Sequence, residues 1–309
     1  MFPQTVSHMN RRLFLHTIAC LALPLIGSGA ARAVGKVNTV ASFSILADMA
    51  REVGGERVEV ASLVGPNGDA HVYDPTPGDV RTLADADIFV VNGLGFEGWM
   101  SRLEKSSGFK GRVVTTSKGI KPRQLEAETG GRGRKVADPH AWQSLANGKI
   151  YVQNIRDGLI AADPGGEATY RANADRFLSE IAQVEEHVGT AINALPADHR
   201  RIITTHDAFG YFGATYGLAF IAPVGVSTES EASVQDVAKI IRQIKAQKIP
   251  AVFLENIADR RLLDQIAKET GAKIGGALYS DALSDPSGPA GTYLDMFRYN
   301  IKMLVAALS

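Results

Sequence analysis

One stretch of this chain restricts its fold more than any other. From Glu167 to Leu195, the apolar residues Tyr170, Ala174, Phe177, Ile181, Val184, Val188 and Ile192 recur three or four apart. That spacing places them on one stripe of a single long α-helix. Asp163-Pro164-Gly165-Gly166 starts the stretch and Pro196 stops it. A helix of this length with one apolar stripe needs structure to cover it, and on both sides short apolar runs alternate with amphipathic segments.

Before the helix, Val37–Phe43, Arg57–Val64, Ile88–Val91 and Arg112–Thr115 read as strands, and Ser44–Val53, Pro77–Ala84 and Phe96–Lys105 as helices. After it, Ile202-Ile203, Phe220–Val226, Val252–Glu255 and Lys273–Tyr279 read as strands, with helices over Ser233–Gln247, Arg260–Thr270 and Tyr293–Leu308. The β-α order predicts an α/β fold of two lobes, each a mainly parallel sheet flanked by helices, joined by one long connecting helix. The expected divisions are 34–166 for the first lobe, 167–195 for the connecting helix and 196–309 for the second lobe. Residues 119–137 interrupt the alternation with Gly130-Gly131-Arg132-Gly133-Arg134-Lys135, which reads as a solvated basic loop.

Residues 1–33 read as an export signal rather than part of the fold. Arg11-Arg12, an apolar run from Thr17 to Ile26 and Ala31-Arg32-Ala33 are the basic start, short apolar centre and small-residue exit of a cleavable leader. Arg11-Arg12 followed by Leu13-Phe14-Leu15 is similar to a twin-arginine signal. Cleavage after Ala33 would place the protein in the periplasm and remove Cys20, the single cysteine of the chain. A lipoprotein would keep Cys20 as its first residue, but Thr17-Ile18-Ala19 is a poor lipid-attachment box. Lys plus Arg and Asp plus Glu both count 33, so no basic excess exists to neutralise a phosphate backbone, and nucleic acid is not an expected partner. Without cysteine, chemistry has to come from histidines, carboxylates and hydroxyls.

Five histidines follow the leader: His71, His140, His187, His199 and His206. His71, His140 and His206 sit in loops beside strand ends, in Asp69-Ala70-His71-Val72-Tyr73-Asp74-Pro75, Asp138-Pro139-His140-Ala141-Trp142 and Thr205-His206-Asp207-Ala208-Phe209. A loop of the same kind, Ser280-Asp281-Ala282-Leu283, follows the last strand. Ligands of open α/β sheets bind outside the carboxyl ends of strands. Three imidazoles and one carboxylate suit a borderline divalent ion such as Zn²⁺ or Mn²⁺. Taken singly, each histidine reads more readily as solvated or hydrogen-bonded than as a ligand.

Taken together, His-Val-Tyr-Asp-Pro at 71–75, Asp-Pro-His-Ala-Trp at 138–142, Thr-His-Asp-Ala-Phe-Gly-Tyr-Phe at 205–212, Phe-Leu-Glu-Asn at 253–256, Leu-Tyr-Ser-Asp at 278–281 and Tyr-Leu-Asp-Met at 293–296 resemble the metal-binding family of solute-binding proteins of ABC importers. The resemblance implies one metal ion held by His71, His140, His206 and Asp281. It also implies a long helix between the lobes and delivery of zinc, or alternatively manganese, to a permease in the inner membrane. A metal-loading chaperone is a further partner it suggests, and the protein is expected to act as a monomer. Two departures stand out. The loop at 119–137 lacks the histidines that many zinc-importing relatives carry there, and the third ligand is His206 where manganese-selective relatives present Glu. Three imidazoles favour zinc. A secreted zinc-dependent hydrolase is the enzymatic alternative, but it needs an open coordination position that Asp281 would close, and the chain has no His-Glu-x-x-His run.

Among the remaining residues, His187 reads as a solvated helix position and His199 as a turn residue. Trp142, Phe209 and Tyr211 are expected to wall the site or pack in the core. Asp74, Asp138 and Asp207 are candidates to orient ligand imidazoles or to cap the helices that follow. Glu229 and Glu231 read as surface acids, with docking to the permease as a further role. With ordinary imidazoles, metal affinity should weaken as the pH falls through about 6.5.

Overall fold

The structure is a computed structural model that describes residues 35–126, 135–249 and 251–309; the expected leader, residues 1–33, lies outside them. Strands β1 (Val37–Phe43), β2 (Val58–Val64), β3 (Ile88–Val91) and β4 (Arg112–Thr115) form one sheet in the order β2-β1-β3-β4, with every pair parallel. A short antiparallel pair follows, β5 (Gln124–Glu126) with β6 (Lys135–Ala137). Strands β7 (Arg201–Ile203), β8 (Ala219–Ile221), β9 (Ala251–Glu255) and β10 (Lys273–Leu278) form a second parallel sheet, in the order β10-β9-β7-β8. In each sheet the first strand has neighbours reached in opposite directions, so each has a crevice at its carboxyl edge where connections part.

Parallel strands covered on both faces read as continuous apolar runs, and Ile88–Val91 is buried along its whole length. Helices α1 (Ser44–Gly54), α2 (Pro77–Ala84), α3 (Met100–Ser107) and α4 (Leu145–Ala162) belong with the first sheet. Next comes α5 (Glu167–Asn193), whose buried residues are the seven of the sequence stripe. Beyond it lie α6 (Gly210–Tyr216), α7 (Val234–Gln247), α8 (Arg261–Thr270) and α9 (Tyr293–Leu308). The C-terminal α9 packs on β10, on α5 and on α1, so one continuous apolar core runs from Phe43 and Phe89 through Phe177 to Phe253 and Phe297. A second cluster, including Ile240, Ile244, Leu263 and Ile266, fills the space beneath α7 and α8.

Several elements differ from the sequence expectation. Helix α4 gave no clear signal because two of its buried positions are glycines, Gly148 and Gly158, which read as breakers. Both glycines allow close packing: a Cβ on Gly148 would lie 2.5 Å from the Tyr293 hydroxyl, and one on Gly158 would lie 2.4 Å from a Val114 methyl. The stretch 119–137 is not wholly loop, since it contains β5 and β6; the Gly-rich tip, 127–134, lies outside the described residues. The helix expected from Phe96 starts at Met100. Residues 96–99 form turns instead, the Gly98 N–H donating to the Phe96 carbonyl and the Met100 N–H to the Glu97 carbonyl. The strand expected over Phe220–Val226 ends at Ile221 and pairs once more, at Val224 with His206, before leaving the sheet.

Gly148 offers a direct check on this packing. The Tyr293 hydroxyl donates to the Trp142 carbonyl at 2.6 Å and its ring is fully buried, so it cannot swing aside. Gly148→Ala is expected to destabilise the protein by about 1–3 kcal/mol, the usual cost of overpacking, read as a lower midpoint in urea unfolding at unchanged slope.

Candidate metal centre

The two crevices bring together four side chains that lie far apart in sequence. His71 sits in the loop after β2 and His140 in the turn after β6, while His206 directly follows β7 and Asp281 follows β10. Their candidate ligand atoms all lie within 4.8 Å of one another. His71 Nε2 is 3.3 Å from His140 Nε2 and 3.2 Å from Asp281 Oδ2, and His206 Nε2 is 3.1 Å from the same oxygen. His140 Nε2 is 3.7 Å from the other oxygen, Asp281 Oδ1. A tetrahedral zinc ion with bonds of about 2.0 Å holds neighbouring donors about 3.3 Å apart. These four separations lie near that spacing, and the whole donor set fits within 4.8 Å.

Acids behind the imidazoles aim two of the rings. His140 Nδ1 lies 2.9 Å from Asp138 Oδ1, which also accepts the His140 backbone N–H, while the Arg123 guanidinium donates to Asp138 Oδ2 at 2.6 Å. His206 Nδ1 lies 2.6 Å from Glu255 Oε2, and Glu255 Oε1 accepts the backbone N–H groups of Thr205 and His206. A carboxylate on Nδ1 holds the proton there and turns the Nε2 lone pair inward. Of the three acids singled out in the sequence, Asp138 alone does this. Asp74 is exposed and faces Arg102 at 4.0 Å, and Asp207 makes no hydrogen bond to an imidazole among the described residues.

Glu255 and Arg123 were not anticipated. The available signal for Glu255 was an acid ending the apolar run Val252-Phe253-Leu254 at the carboxyl edge of its sheet. Aromatic rings close the sides: Phe96 packs edge-on to His71 at 4.6 Å between centroids, and Trp142 packs against His140 at 5.2 Å. Tyr211 acts one step further out, its hydroxyl accepting the Arg123 N–H and donating to the Asp138 carbonyl. Phe209 stacks on Phe220 in the core. His187 is exposed on α5, and His199, in a 3₁₀ turn, places Nδ1 2.7 Å from the Leu308 carbonyl. Glu229 and Glu231 are exposed.

Charge completes the description. Asp138, Glu255 and Asp281 are buried, and the Arg123 guanidinium pairs with Asp138. With neutral imidazoles these groups leave two negative charges in a region shut off from water, which demands either protons or a divalent cation. Burial by itself would lower His140, but the charges of Asp281 and Asp138 outweigh it and push it up to about 9. His206 is also held well above the ordinary imidazole value: burial opposes this, and Glu255 and Asp281 overcome it. Asp281 stays well below the carboxylate range, against its burial, because His206 and His140 face it. The expectation of an affinity threshold near 6.5 assumed ordinary imidazoles, and two of the three are held above that value.

A family model described as zinc-uptake complex component A, periplasmic, matches residues 39–307. The manganese-binding lipoprotein MntA of Halalkalibacterium halodurans is 32% identical over 306 residues, covering 97% of this chain and 100% of that protein. The iron-binding protein YfeA of Yersinia pestis is 32% identical over 266 residues, covering 86% of this chain and 84% of that one. Among solved structures, the periplasmic zinc-binding protein TroA from Treponema pallidum superposes with a TM-score of 0.83 at 31% identity, covering 89% of this chain and 100% of that one.

Proposed function

Because the chain belongs to the zinc-uptake complex component A family, the metal-binding proteins of ABC importers, we propose that its cargo is a zinc ion held between the lobes by His71, His140, His206 and Asp281. Family membership makes it an exported binding component of an importer for a divalent metal, not an enzyme. The observation that carries the zinc reading is the donor set: three imidazole nitrogens and a carboxylate gathered within 4.8 Å, each imidazole 3.1–3.7 Å from an Asp281 oxygen. Nitrogen-rich four-coordinate sites suit zinc, whereas manganese prefers more oxygens in a larger shell.

The leader supports export with cleavage after Ala33, giving a periplasmic protein that hands its ion to the permease of the inner membrane. Among the described residues no helix is long and apolar enough to cross a membrane. The lobes at 34–166 and 196–309 would each supply two of the four ligands, so the ion ties them together across the connecting helix at 167–195. Metal analysis of protein recovered from the periplasm, followed by competition between Zn²⁺ and Mn²⁺, tests the reading. One zinc per chain, retained against an excess of manganese, is the expected result; a manganese-loaded protein that zinc fails to displace overturns it.

A further inference from the structure

The four donors are sealed. His71 is 6% exposed, His206 1%, and His140 and Asp281 not at all. A hydrated cation reaches them only if part of the surrounding protein moves, and those parts are not equally held. The sheets and α5 are locked into the core. Residues 226–232 of the second lobe, by contrast, form no helix or strand and line the cavities that reach His71 and His206. Among the described residues, their one hydrogen bond to the rest of the protein is from Thr228 Oγ1 to Asp69 Oδ2, at 2.6 Å. The other oxygen of that carboxylate, Asp69 Oδ1, accepts the backbone N–H of His71 at 2.9 Å. One side chain of the first lobe thus joins this strap to a metal-ligand loop.

The strap also separates two cavities. One, of about 610 Å³, reaches His206 and has Asp69, Glu231 and an Asp259–Arg261 ion pair (2.6 Å) in its walls, so acids outnumber bases there, together with the Thr205 hydroxyl, which is buried and without a hydrogen-bond partner. The other, of about 430 Å³, reaches His71 past Leu94, Phe96, Val136, Pro139 and Val226, with Glu229 as its acid. A cation shedding water is attracted by carboxylates and opposed by apolar walls.

We propose that the Asp69–Thr228 hydrogen bond latches the strap at 226–232, and that the cation passes to and from its ligands through the acid-lined cavity when this latch opens. The inference rests on the cluster being the cargo site. Asp69 also fixes the His71 backbone, so opening the latch loosens one ligand as it clears the path. Release and access are coupled through one carboxylate.

Stopped-flow exchange of zinc with a chromophoric chelator tests this on the whole protein, with cobalt absorption reporting the ligand set. Thr228→Val keeps the side-chain shape and removes the hydroxyl. It is expected to speed zinc release and uptake by about 10-fold or more, the scale of losing a hydrogen bond to a charged group, while the cobalt spectrum stays unchanged and Thr228→Ser restores the wild-type rates. Ala258→Trp, which fills the acid-lined cavity, is expected to slow both rates. Val136→Trp narrows the other cavity from the first lobe and should leave both rates alone. Wild-type release rates in Thr228→Val overturn the latch, and slowing by Val136→Trp but not by Ala258→Trp overturns the path. A wild-type protein that bound neither zinc nor cobalt would instead overturn the site assignment beneath both.

Discussion

Replacing His206 with Ala is expected to lower zinc affinity by about 1,000-fold, well beyond the roughly 10–100-fold that follows loss of a hydrogen-bond partner to a metal ligand. The substitution removes one of three nitrogens, and it also leaves Glu255 buried with its imidazole partner gone. Glu255→Gln separates these effects. It keeps the His206 ring but weakens the hold on Nδ1, and should cost the smaller, roughly 10–100-fold amount. His187→Ala and His199→Ala serve as controls, since one ring is exposed and the other bonds to the Leu308 carbonyl. Calorimetric zinc titration of the four variants decides the order. Zinc binding by His206→Ala as tight as that of His187→Ala would end the assignment of this residue as a ligand.

Zinc affinity is expected to keep rising above neutral pH, by about 10- to 100-fold per unit between pH 7 and 9, because one or two protons leave for each ion bound. Imidazoles at the ordinary value of about 6.5 would already have levelled off there. The difference comes from His140, raised to about 9 by Asp281 and Asp138 against its burial, and from His206, raised by Glu255 and Asp281. The metal-free protein should respond in the opposite sense. A histidine raised in the folded state contributes stability that is full below about 6.5 and is lost as the pH climbs through about 9. Melting in excess chelator should therefore occur at lower temperature at pH 9.5 than at pH 6.5. Calorimetry at pH 7.5 in buffers of different ionisation enthalpy counts the protons directly, and a count of zero would remove the basis of both expectations.

Local patterns determined much of this protein. The stripe from Tyr170 to Ile192 specified α5 because a helical period is written in consecutive residues, and all seven of those positions are buried. The apolar strand runs specified two parallel sheets, and the loops at their carboxyl edges held the four candidate residues, which the family resemblance rather than their spacing singled out. What escaped the sequence depends on contact through space. Gly148 reads as a helix breaker until Tyr293, 145 positions away, is seen against it. Asp74, Asp138 and Asp207 look equivalent beside their histidines, yet Asp138 alone bonds an imidazole, while His206 is aimed by Glu255 from a different strand. Asp69 carried no signal for linking a ligand loop to a strap of the other lobe. Residue type and spacing state which groups a chain owns. Which of them meet is decided when sheets and helices pack, because a hydrogen bond or a coordination shell is fixed by ångström distances that sequence separation does not encode.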